Sequence, residues 1–187
     1  MTLITVQNRD AIELIVLPLT ILDDYSRYII AWELRSTMRA DDVTDTLELA
    51  LVTSGCDSAK VVHKPRLLDD NGSSYISSDL AEWLKDRGIA HVRGAPCHPQ
   101  TQGKIERWHQ TLKNRILLEN YYLPGDLKAQ IARFVEHYNH RRYHESLQNL
   151  TPADVYFGRG QTILLKRERI KRDTIKQRRL QHHAKAA

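Results

Sequence analysis

An α/β architecture, with a mixed sheet carrying helices on its faces, is predicted by the order of elements in this sequence. Two apolar, β-branched runs joined by the turn "DDYSR" predict an antiparallel hairpin. The segments that follow alternate helix, strand, helix and strand, and two long amphipathic helical patterns come after them. The length of 187 residues suits one domain of ordinary size with a terminal extension.

Each element has its own signal. "IELIVLPLTILDD", from Ile12 to Asp24, reads as a buried strand and "YIIAWEL" as its antiparallel return. Val43, Leu47, Ala50 and Leu51 recur at helical spacing, and Gly55 stops that helix. "PRLLD" is a short strand. Ser77 or Ser78 caps a helix with Leu80, Trp83 and Leu84 on one face and Gly88 just past its end. "IAHVRG" is the last strand of the run. A helix from about Thr101 to Asn120 carries the apolar stripe Ile105, Trp108, Leu112 and Ile116. Leu127, Ile131, Phe134, Val135 and Tyr138 mark a second helix. The polar stretch "NHRRYHESLQNLTPADVYFG" leads into a short helix after Pro152. "TLITV", at the start, has β-branched residues that suit a further strand.

Charge divides the chain unevenly. From Arg159 to Ala187 there are ten Lys/Arg against two acids, a local charge of +8 within a net +5. Residues 1–158 form the predicted core; residues 159–187 form a basic tail, a solvated, mobile block suited to gripping polyanions. No apolar run approaches the roughly 20 residues needed to span a bilayer. "MTLITVQNRD" has no basic n-region, so no secretory signal is predicted. Two cysteines make no disulfide framework, which fits a reducing cytoplasm. Cys97 beside His98 lacks the spaced partners of a zinc site.

The chemistry-bearing pattern is a pair of acids. Asp70 follows the strand-like run "PRLLD" at its carboxyl end, before "NG", and Glu106 lies in the helix opened by "HPQTQGK", with thirty-five residues between them. Gln102, Glu106, Gln110 and Lys113 share one side of that helix, away from the apolar stripe. Convergent carboxylates suit hard divalent cations, which can activate a nucleophile and stabilise a leaving oxygen.

"LDDYSRYIIAW", "DNGSSY", "HPQTQGKIERWHQTLK" and "YNHRRYHESLQNLTPADVY" together resemble the catalytic core of insertion-sequence transposases of the retroviral-integrase type, with their D,D-35-E pattern. The resemblance runs from about Leu22 to Gly158. It implies a ribonuclease-H-like fold and DNA cutting and joining with two Mg²⁺ or Mn²⁺ ions. Asp70 and Glu106 match the second and third acids, as catalytic residues and metal ligands. Lys104, Lys113, Arg141 and Arg142 are the expected DNA contacts. The implied partners are DNA and either a second copy or a complete transposase acting in trans. The implied location is the bacterial cytoplasm, on the nucleoid when DNA is bound.

One departure stands out. In that family the first acid lies in the first strand, about eighteen residues before "LDD", and counting back from Asp23 reaches Thr5. No acid occurs from Met1 to Asn8; Asp10 is the nearest, in what reads as a turn. Asp24 is rejected as a substitute because it ends a strand antiparallel to the first, and it is assigned to turn capping. The expectation is an altered transposase core whose original first strand was lost. Two outcomes remain for it: an enzyme that is inactive alone, or a catalytically dead DNA-binding remnant.

Overall fold

The computed structural model describes residues 2–4, 17–37, 39–58, 64–69, 75–93, 103–116 and 124–186. Five strands form one mixed sheet in the order β3-β2-β1-β4-β5. They are β1 (Thr2–Ile4), β2 (Leu17–Asp23), β3 (Ile29–Arg35), β4 (Arg66–Asp69) and β5 (Ala90–Arg93). The helices are α1 (Ala40–Ser54), α2 (Ser78–Asp86), α3 (Gly103–Ile116), α4 (Pro124–His140), α5 (Pro152–Tyr156) and α6 (Gly160–Ala186).

β1 lies at the centre, antiparallel to β2 and parallel to β4. Its register sets Leu3 between Asp23 and Leu67, and Ile4 between Leu22 and Leu68. Thr2–Ile4 therefore fill the first-strand position that the sequence leaves unassigned. The predicted strand from Ile12 is seen as β2 from Leu17; residues 5–16, Asp10 among them, lie outside the described residues.

Strand alternation sends side chains to two separate cores. On one face Leu19 and Ile21 of β2 and Leu67 of β4 pack with Val43, Leu47 and Leu51 of α1 and Leu80 and Leu84 of α2. On the other, Leu22, Ile29 and Leu68 lie under Ile105, Trp108 and Leu112 of α3 and Leu127, Ile131, Val135 and Tyr138 of α4. The β2–β3 register shifts between Ile21 and Leu22, leaving Ile30 as the extra residue on β3 and setting Ile29 opposite Leu22 in the second core. The stripe predicted for α3 is buried as far as Leu112; the side chain of Ile116 is outside the described set.

Local chemistry sets the helix ends. Ser77 caps α2 by accepting from the Leu80 amide, and Thr151 with Asp154 forms a capping box on α5. α1 ends on Gly55 at φ +69°, where a side chain would be strained.

Asn139 ties α4 to the sheet. Its Oδ1 accepts from the Ile29 amide at 2.9 Å and its Nδ2 donates to the Ile29 carbonyl at 3.0 Å, all buried. Asn139→Ala leaves both backbone groups without their partner and is expected to cost about 3 kcal/mol in urea unfolding. A loss below about 1 kcal/mol would show that water replaces the amide.

Two expectations change. The basic tail, expected as a mobile block, is the continuous helix α6. Beyond its first turn the apolar residues Leu165, Ile170, Ile175 and Leu180 are exposed and fall on different sides, so that stretch has no apolar face to pack. Asp24 does not cap its turn. Asp23 does, with its carboxylate accepting from the Ser26 amide at 2.9 Å and from its hydroxyl, while Asp24 pairs with Lys104 at 2.7 Å.

Candidate active site

β4 ends on Asp69, one residue before the predicted acid. Asp69 is fully buried and bonded through its carboxylate to Nε2 of His91 on β5. By alternation it belongs with Leu67, on the α1–α2 face. Leu68 belongs to the α3 face. Asp70 lies outside the described residues, so its separation from Glu106 stays an expectation.

Glu106 sits in the first turn of α3, exposed, and makes no ion pair among the described residues. Two contacts fix the run of this helix. Lys104 Nζ reaches the Asp24 carbonyl and carboxylate at 2.8 and 2.7 Å, and Trp108 Nε1 donates to Thr20 Oγ1 at 3.4 Å. Four residues forward on α3 thus match four residues back on β2. α3 runs antiparallel to β2, in the same sense as β1 and β4.

The same contacts separate its two flanks. Trp108 turns toward α4, stacking on Phe134 with centroids 5.5 Å apart and meeting the Tyr138 edge at 4.6 Å. At 100° per residue, Lys104, Arg107 and Thr111 lie on that α4 side. Glu106 and Lys113 lie on the opposite flank, which looks across the sheet toward β1 and β4. Gln110 shares that flank and donates to Asn114 at 2.8 Å.

His109 points into the core between the flanks, 7% exposed, and burial pushes its pKa down to about 4. It is a neutral core residue that the sequence reading did not single out. Among the described residues no group of three or more His, Cys, Asp or Glu is placed to hold a metal ion.

The predicted DNA contacts separate as well. Lys113 is half-buried on the Glu106 flank, two turns further along, whereas Lys104, paired with Asp24, lies on the other flank. Arg141 is exposed just after α4. Arg142 lies over the Tyr138 ring, 5.6 Å from its centroid, on the Lys104 side.

Two family models described as integrase core domain match this chain in sequence, one at residues 11–99 and the other at residues 87–152. The chain belongs to the integrase core family. This integrase core is 28% identical over 146 residues to a putative transposase for insertion sequence element IS986/IS6110 of Mycobacterium tuberculosis (strain CDC 1551 / Oshkosh), covering 72% of this chain and 49% of the relative. It is 38% identical over 58 residues to the Pol polyprotein of equine infectious anemia virus (strain Wyoming), covering 31% of this chain and 5% of the polyprotein. The chain thus spans about half the length of the mycobacterial relative and a small part of the viral one.

Solved structures show the same ribonuclease-H-like fold. The HTLV-2 integrase catalytic core domain, solved in complex with magnesium, aligns with TM-score 0.58 at 18% identity over 75% of this chain and 84% of that one. A chain of the simian T-cell lymphotropic virus intasome in complex with PP2A regulatory subunit B56 gamma aligns with TM-score 0.61, also at 18% identity, over 82% and 53%. No helix of the described residues is long and apolar enough to cross a membrane.

Proposed function

We propose that this integrase core serves DNA transposition: it holds DNA ends and, given a complete acid set, joins strands by metal-dependent transesterification. The observation that carries the reading is the placement of Glu106 and Lys113 on the flank of α3 facing β1 and β4, together with the integrase-core match. Asp70 is assigned as the second acid because it follows Asp69 in sequence and shares the parity of Leu68, which packs under α3.

The donor chemistry fits a divalent cation, Mg²⁺ or Mn²⁺. Glu106 is an exposed carboxylate with no basic partner among the described residues, and hard cations take carboxylate oxygens. Such a cation supplies Lewis-acid stabilisation of charge at the reacting phosphate. Asp70 and Glu106 would hold it, and Lys113, two turns or about 10 Å along α3, would hold a neighbouring phosphate. Asp69 is not a ligand in this reading, because burial and His91 already occupy it.

A second reading, a catalytically dead DNA-binding remnant, is favoured by one feature: the central strand Thr2–Ile4 carries no acid. Activity with a second copy, or with a complete transposase in trans, belongs to the first reading, as does location in the cytoplasm and on the nucleoid. Calorimetric titration with Mn²⁺ tests the site apart from activity. Weak binding to the native chain should disappear in both Asp70→Asn and Glu106→Gln. Equal binding by all three proteins would remove the metal assignment.

α6 is the second DNA-facing element of this proposal. Its exposed helix carries nearly all of the tail's +8 charge, so deleting residues 159–187 should weaken binding to every duplex alike and flatten its salt dependence. Salt titrations of the full and shortened proteins check this; equal slopes would leave α6 without a role in binding.

A further inference from the structure

On the flank of α3 away from Glu106, two adjoining clefts form one groove. The first, about 450 Å³, is lined by Arg27, Lys104, Arg107, Arg142 and Tyr143 among others. The second, about 540 Å³, continues past Tyr25 to the start of α6. Arg27, Lys104 and Ser146 line both.

The groove is positive and its charges are available. Lys104 is balanced by Asp24, but Arg27, Arg107 and Arg142 make no ion pair among the described residues. Glu145 is the acid on the wall of the first cleft. His144, between the arginines, is held neutral: burial first, then the charges of Arg142 and Arg27, push its pKa down to about 4. Its Nε2 is buried without a hydrogen-bond partner among the described residues.

Arg27 is the decisive residue. It occupies the left-handed region at φ +64°, in the turn where its amide donates to the Asp23 carbonyl at 2.8 Å. Gly or Asn would fill that position at lower conformational cost, so local folding gives no reason for arginine. The strain instead sets a guanidinium where the two clefts meet.

We infer that this groove grips the sugar–phosphate backbone of DNA on the side of α3 opposite Glu106, with Arg27 as its central contact. The inference rests on the transposition reading above and adds a site to it. A helix diameter of about 10 Å separates the groove from the Glu106 flank, so the gripped phosphates are not the reacting ones. Guanidinium groups suit this task because their forked donors match phosphate oxygens. The exposed rings of Tyr25 and Tyr143 give the groove apolar walls against which sugars can rest.

The test is fluorescence anisotropy of a labelled duplex across a salt series, with a thermal midpoint for each protein. Four proteins are compared: the native chain, Arg27→Gly, the triple variant Arg27→Gly/Arg107→Gln/Arg142→Gln, and Lys85→Gln on the far face of the sheet. Arg27→Gly should fold with an equal or higher midpoint yet bind on the order of fivefold more weakly, its log–log salt slope reduced by about 0.9. The triple variant should lose about 2.7 from the slope and Lys85→Gln nothing. A native chain that binds DNA while Arg27→Gly and the triple variant keep its slope overturns the groove alone. Equal loss in Lys85→Gln also overturns it, since net charge would then explain the effect. A native chain without DNA affinity overturns the groove and the transposition reading together.

Discussion

Ile4→Asp is expected to raise Mn²⁺-dependent joining of pre-cleaved DNA ends by about a thousandfold over the unmodified chain, which alone should join almost nothing. The register decides the position. Ile4 shares its row with Leu68 of β4, and Leu68 packs under α3, the helix that carries Glu106. The backbone register sets position 4 level with Leu68, so an acid there is expected to join the core that Leu68 shares with α3. Thr5, reached by counting back from "LDD", is one residue further on, and a one-residue shift along an extended chain reverses the side an added acid would take. Thr5→Asp is thus the control that should stay inactive. Adding Glu106→Gln to Ile4→Asp should abolish the gain, because the ions need all three carboxylates to hold both sites. Rapid joining by the unmodified chain, or rescue by Thr5→Asp alone, would show that the third ligand lies elsewhere. The substitution has a cost without metal, since a carboxylate in the central strand is desolvated and its pKa rises. Lowered thermal stability that Mn²⁺ restores would be a second sign of the same site.

Trp108→Ala should have the largest effect on stability, about 3–5 kcal/mol in urea unfolding. Trp108 is 1% exposed and is the largest fully buried side chain of the described residues. It joins α3 to α4 through Phe134 and Tyr138 and to the sheet through Thr20. Removing it opens a cavity where three elements meet. Trp108→Phe keeps the ring but loses the indole hydrogen bond, so it should cost far less. A Trp108→Ala loss below about 1 kcal/mol would show that α3 is held chiefly at Ile105 and Leu112.

The sequence made the element order readable because most elements carry their own periodicity. Ile105, Trp108 and Leu112 announce one helix, and Leu127, Ile131, Phe134, Val135 and Tyr138 another; these residues are buried as their spacing predicts, except that Phe134 is half-buried. The order β3-β2-β1-β4-β5 was not legible, since pairing depends on contacts far apart in the chain and β1 spans only three residues. The exchange of roles between Asp23 and Asp24 escaped for a similar reason. Either can accept from a turn amide, and Lys104, eighty residues away, supplies the partner that separates them. The exposed position of Glu106 and its sharing of one flank with Lys113 followed from helical spacing. That they look toward β1 and β4 required the Trp108 contacts. Arg27 drew no notice because an arginine in a turn is unremarkable until its φ is known.

α6 begins tightly against the groove segment. A Cβ at Gly160 would stand 2.9 Å from Leu150 Cδ1, and Arg167 donates to the Asn149 carbonyl at 2.9 Å. Those two attachments lie within the first eight of its 27 residues. The rest extends beyond them, so α6 is a lever about 40 Å long with its fulcrum at Leu150 and Asn149. A polyanion drawing on the far end would exert torque on the 144–150 segment, the stretch that walls the groove. Charge placed near Ala186 would thereby be mechanically joined to the proposed grip around Arg27.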